Sequence, residues 1–151
     1  MDGVVEQADD ARVARRSGAP AEHHGEDVAR LAPRTKELMR LRIAKLNGCE
    51  TCAAARLAAD TVPEDQAVGV WEGEFRDNPS YSPAEQAAVE FAERMAVDHH
   101  AIGDADIAAL REHYDDAQIL ELMMMAGQYI GFGRMLAILQ LENVACPLPA
   151  R

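Results

Sequence analysis

Aromatic residues are scarce in this chain: one Trp, three Tyr and three Phe make up 5% of it. A β protein would want more aromatic and β-branched side chains to cover its pleated faces. Ala, Leu and Met fill the apolar positions instead. With Glu and Arg, these residues lose little rotamer freedom in a helix, so the composition predicts an all-α fold. Positive charge is also short. Fifteen Lys and Arg stand against 26 Asp and Glu, a net charge of −11 with the His neutral. An acidic surface repels phosphate backbones and anionic lipid, which argues against nucleic acid and membrane as partners. Cysteines number only three, and the Met1 end shows no apolar core of signal-peptide type. The odd count and that missing signal lead to the expectation of a reducing, cytoplasmic setting. There, a Cys pair two residues apart is catalytic or metal-binding more often than a structural staple.

What the chain does have is enough apolar content, 48% of 151 residues, for one domain with a real core. Residues 1–26 read as a polar tail with few large apolar groups, and 27–151 as the domain. Thr35 is the expected cap of a helix from Lys36 to Leu46, whose apolar residues recur at helical spacing until Asn47-Gly48 stops it. A second helix is expected from about Cys49 to Asp60. Thr61-Val62-Pro63-Glu64 and Ser82-Pro83-Ala84-Glu85 both read as capping boxes with an early Pro. Gly103-Asp104 opens a further helix, and Asp115-Asp116-Ala117-Gln118 caps the last, which is expected to reach Leu141. Its stretch from Leu122 to Leu141 carries one formal charge, Arg134, with Gln128 and Gln140 beside it. Those polar groups are costly in hydrocarbon, so the reading is a helix buried between neighbours, partly in a subunit interface.

The chemistry gathers at Cys49 and Cys52. A thiol attacks only as thiolate, and the first turn of a helix favours that anion through its unpaired N–H groups and dipole. Cysteines at i and i+3 share one helix face, close enough to cycle between dithiol and disulfide. By itself the pair is consistent with a redox centre, a metal knuckle or inert packing. The dipole argument taken alone favours Cys49 as the more exposed and acidic thiol. Arg56 lies four residues after Cys52, where a guanidinium would stabilise a thiolate but not accept a proton. Glu37, on the preceding helix, could meet Cys52 or Arg56. His99-His100 could complete a zinc site with the cysteines, but adjacent His point apart on a helix. Met123-Met124-Met125 reads as core filler, Cys146 and His23-His24 as incidental, and Tyr129 and His113 as candidates to line the pocket beside the cysteines.

Glu37, eleven residues, Cys49, two residues, Cys52, then an Ala-rich run resembles the AhpD-like, or carboxymuconolactone decarboxylase, superfamily, whose redox pattern is Glu-x11-Cys-x2-Cys-x3-His. Leu46-Asn47-Gly48-Cys49, Phe91-Ala92-Glu93, Leu110-Arg111-Glu112-His113-Tyr114 and Gly127-Gln128-Tyr129 are similar as well. The resemblance implies an all-α domain of about six helices with the CxxC at a helix N-terminus. It implies a homo-oligomer, trimeric or hexameric, and a thiol-dependent peroxidase or disulfide reductase acting on a small hydroperoxide. No bound cofactor is implied beyond the cysteine pair, with electrons from a thiol carrier such as a dihydrolipoyl protein. Cys52 would be peroxidatic, Cys49 resolving and Glu37 the proton-relay carboxylate. The family's His is Arg56 here, and Arg cannot pass a proton near pH 7. The relay then shortens to Glu37 and water or is absent, and Arg56 would instead hold Cys52 as thiolate. The superfamily's decarboxylases generally lack the cysteines and form an alternative class. A non-enzymatic oligomeric interaction protein with a vestigial CxxC is another.

Overall fold

A computed structural model describes residues Leu31–Leu141. The tail read over residues 1–26, with His23-His24, and Cys146 lie outside the described residues. Six α-helices follow one another: α1 (Pro33–Leu46), α2 (Glu50–Ala54), α3 (Glu64–Glu72), α4 (Pro83–Val97), α5 (Asp104–Arg111) and α6 (Asp116–Ile138). Short 3-10 turns at Ala59–Thr61 and His99–Ala101 complete the described elements, none of which is a strand. The all-α expectation holds. No helix among them is long and apolar enough to cross a membrane.

α1 is the axis of the bundle, packing chiefly on α4 and then on α3 and α6. Its stripe of Leu38, Met39, Leu41 and Ile43 is buried against Val70, Phe75, Ala88, Val89, Phe91, Ala92 and Leu122. Truncating a fully buried side chain such as Leu38 to Ala would cost about 2–5 kcal/mol.

The helix starts differ from expectation in two places. α1 begins at Pro33, not Lys36, because Pro at the first helical position presets φ and leaves no N–H to satisfy. Thr35 is therefore no cap; it is buried within the first turn and its hydroxyl bonds Tyr114. The capping box expected at Thr61 is also absent. Pro63 precedes α3 without a side-chain bond, the Thr61 hydroxyl donates to the Ala58 carbonyl at 2.7 Å, and Glu64 pairs with Arg56. The boxes at Ser82 with Glu85 and at Asp115 with Gln118 are both formed.

α6 is only partly buried in the single chain. Ile119, Leu122, Ala126 and Gly133 are buried, but Leu120, Met124, Phe132, Met135 and Ile138 are exposed in the single chain. The helix packs one stripe on α1 and α4 and turns another outward. Met124 is exposed, whereas Met123 and Met125 pack against the core.

Candidate active site

The cysteines are placed by the way α1 ends. Gly48 has φ +66°, the left-handed conformation that suits glycine. The Gly48 N–H donates to the Lys45 carbonyl at 3.0 Å and the Cys49 N–H to the Ala44 carbonyl at 2.9 Å, the paired bonds of a Schellman motif. The chain thus reverses, and Cys49 becomes the N-cap of α2. Its Sγ accepts from the Cys52 N–H at 3.2 Å. Cys49 and Cys52 are joined as a disulfide, with their Cα atoms 5.2 Å apart.

The two sulfurs stand in different surroundings. Cys49 is 1% exposed and Cys52 is partly exposed. The dipole argument expected Cys49 to be the more exposed thiol; its role as cap folds it inward instead. α2 is also far shorter than expected, ending at Ala54 rather than near Asp60. Arg56 is what the chain turns out for. Its Nε donates to Glu37 at 3.3 Å, its Nη1 to Glu64 at 2.5 Å and its Nη2 to the Val62 carbonyl at 2.7 Å.

Glu37 stands at the centre of this cluster and is 2% exposed. Arg40, one helical turn on and 3% exposed, clasps it with both Nε at 2.9 Å and Nη2 at 2.7 Å. The remaining Arg40 nitrogen, Nη1, donates to the peptide oxygen of Cys52. Burial alone would push the Glu37 carboxyl up, but the bonds and charge of Arg40, then of Arg56, outweigh it and hold it below the ordinary glutamate range. Glu37 therefore meets Arg56 as the sequence suggested, and it reaches the CxxC turn through Arg40. Sequence reading passed over Arg40. The signal was present, since residues at i and i+3 share a helix face and Glu37 is followed at that spacing by a cation.

An open cavity of about 990 Å³ runs beside this cluster. Lys36, Glu37, Arg40, Leu57, Met124 and Tyr129 are among its lining residues. Lys36 is itself paired with Glu121 at 2.5 Å. Tyr129 is in this wall, which neither cysteine lines, and His113 is exposed and lies elsewhere. His99 and His100 stack on each other with centroids 4.0 Å apart. Among the described residues no group of three or more His, Cys, Asp or Glu could hold a metal ion.

Several solved structures share this arrangement of helices. One is a protein of unknown function from Agrobacterium tumefaciens, proposed to be an antioxidant defence protein AhpD. It superimposes with a TM-score of 0.60 over 71% of this chain and 75% of its own, at 24% identity. Another is an alkylhydroperoxidase AhpD core, an uncharacterized peroxidase-related protein from Ralstonia eutropha, with a TM-score of 0.58 over 72% of this chain and 58% of its own at 21% identity. The fold is the AhpD-like one. No family model matches the chain. In sequence, it is 30% identical over 107 residues to the uncharacterized protein YdfG of Bacillus subtilis, covering 66% of this chain and 69% of that protein. It is also 30% identical over 100 residues to the uncharacterized protein YnjA of Escherichia coli, spanning 54% of that relative's length. The chain belongs to one family with YdfG in sequence, and its fold is AhpD-like.

Proposed function

We propose that this protein is a thiol-dependent oxidoreductase that cycles Cys49 and Cys52 between dithiol and disulfide, with a small hydroperoxide as electron acceptor. The observation that carries the reading is the joined cysteine pair with unequal burial. The partly exposed Cys52 is open to attack a substrate, and the buried Cys49 is held three residues away to resolve the product. The Cys52 thiolate takes the terminal peroxide oxygen, giving a sulfenic acid and, with one proton from water, the alcohol. The Cys49 thiol then displaces water from that sulfenic acid and closes the disulfide. An external dithiol carrier returns two electrons. The AhpD-like fold supports a peroxidase-related activity; Cys52, Cys49, Glu37 and Arg56 are the residues assigned to it.

In this reading Glu37 stays ionised at neutral pH, so it acts as the counter-ion that fixes Arg40 and Arg56. That is a different task from the proton relay implied by the family pattern. The outward stripe of α6 supports assembly into a homo-oligomer.

The reading is tested by exposing the reduced protein to a hydroperoxide and counting free thiols, with a peroxiredoxin as control. Loss of two thiols per chain, mapped to Cys49 and Cys52, is expected. If both stay reduced while the control oxidises, the reading fails.

A further inference from the structure

We infer that Arg40 is the positioning residue that sets the reactivity of Cys52, holding its peptide oxygen in place and keeping its reduced sulfur as a thiolate. The inference rests on the reading that the disulfide opens to a dithiol, and it assigns the control of that thiol to a residue outside the family pattern.

Three observations carry it. Arg40 is 3% exposed, and a buried guanidinium persists only where its charge and donors are satisfied. Glu37 takes two of its nitrogens, and the third goes to the carbonyl of Cys52 rather than to another side chain. The peptide oxygen and the sulfur of one cysteine are only a few bonds apart. The guanidinium is therefore anchored on the residue that carries Sγ, and an opposite charge within about 4–6 Å moves a titration by roughly one to three pH units.

The charge balance has the right sign. Around the turn the charged groups are Glu37 and Arg40 of α1, Arg56 past α2 and Glu64 of α3, with Glu50 exposed on α2 itself. Glu64 is 82% exposed and screened by water, while Glu37, Arg40 and Arg56 are withdrawn from it. One carboxylate thus faces two guanidiniums. Glu64, out in the water, is the second anion while the cysteines are joined, and reduction adds the Cys52 thiolate on the withdrawn side of the cluster. An external dithiol opens the bond, leaving Cys49 as thiol and Cys52 as thiolate, with one proton released and the donor oxidised to its own disulfide. Arg56 contributes to this field from a distance, spending its donors on Glu37, Glu64 and Val62.

The test is the pH profile of alkylation by iodoacetamide on the full chain reduced with dithiothreitol. Peptide mapping reads Cys52 apart from Cys49 and Cys146. Arg40→Gln is expected to move the Cys52 midpoint upward and to slow its alkylation at pH 6, by roughly tenfold for every pH unit the midpoint rises. Glu37→Gln is expected to move the midpoint downward, because it removes the anion that competes with the thiolate. Arg40→Lys keeps the charge and should lie within about threefold of the parent rate. A merely structural role would move both neutralising variants in the same direction through loosened packing. Changes of the same sign, or none, overturn the inference. Should Arg40→Gln not fold, as judged by circular dichroism, Glu37→Gln and Arg40→Lys decide alone. A reduced protein that ignores hydroperoxide yet shows the opposed changes sinks the peroxidase reading and leaves this inference standing; normal peroxide turnover without them does the reverse.

Discussion

Replacing Gly133 by Ala should destabilise the protein, although the same change in most helix interiors stabilises. Gly133 is buried in α6, and the turn that presents the cysteines packs directly on it. A Cβ there would lie 2.8 Å from Cγ and 2.9 Å from Cβ of Asn47, and closer still to its Nδ2. Asn47 has no easy retreat. Its Nδ2 donates to the Tyr129 carbonyl at 3.1 Å, and its backbone caps α1 one residue before Gly48. Gly→Ala gains roughly 0.5–1 kcal/mol from the lower entropy of the unfolded chain and the better helix propensity of Ala. Forcing an extra carbon into a closed contact costs roughly 1–3 kcal/mol. The net expectation is a loss of about 0.5–2 kcal/mol, read from urea unfolding with the disulfide kept oxidised. Asn47→Gly removes every clashing atom, so Gly133→Ala in that background should be neutral or stabilising. The coupling between the two changes should be at least about 1 kcal/mol. A Gly133→Ala protein as stable as its parent, or equal effects of Gly133→Ala in both backgrounds, would refute the packing argument.

Three further outcomes are expected. Tyr114 is partly buried, its hydroxyl donates to the Ala84 carbonyl at 2.7 Å, and that burial pushes it up to about 12. Its folded value is raised above the unfolded value of 10, so its contribution is complete below pH 10 and is lost as pH rises toward 12. A spectrophotometric titration should show this tyrosine ionising late, and Tyr114→Phe should remove that step. Glu37 titrates with the opposite sign. Its folded value lies below the ordinary 4.5, so the stability it supplies is present above that pH and falls as acid protonates it. Glu37→Gln should flatten the acid limb of the stability curve while lowering stability at pH 7, because it leaves Arg40 without its buried anion. Ser82 caps α4 by accepting from the Glu85 N–H at 3.2 Å, so Ser82→Ala should cost about 0.5–2 kcal/mol in thermal or urea unfolding.

The helical architecture was legible because its signals are local. Ser82 with Glu85, Asp115 with Gln118 and Asn47-Gly48 each act within one turn of chain, and each does in the structure what its residue types imply. The site was legible in part. Glu37, Cys49, Cys52 and Arg56 converge, since α1 and the segment after it are joined by a tight reversal. What escaped was set by longer-range contacts. Arg56 leaves the helix because Glu37 and Glu64 draw it, and neither preference is visible in an Ala-rich run. Pro33 starts α1 because its ring presets the helical φ, and the Thr35 hydroxyl turns instead to the partly buried Tyr114, far along the chain. The unequal burial of the cysteines follows from the capping geometry of Cys49, which spacing alone does not resolve. The sequence suggested an interface for part of α6, but its nearly continuous apolar pattern does not say which side meets the core.

The five-residue length of α2 bears on how such a site changes over generations. A helix so short spends its whole length on placing two cysteines, and its last residues lie close to irregular backbone. Position 56 therefore belongs to a connecting segment, where the side chain of Arg56, not helix, fixes the chain. Exchange of Arg56 for His would trade a permanent cation for a titrating group and give up the bonds that tie this segment to Glu37 of α1 and Glu64 of α3.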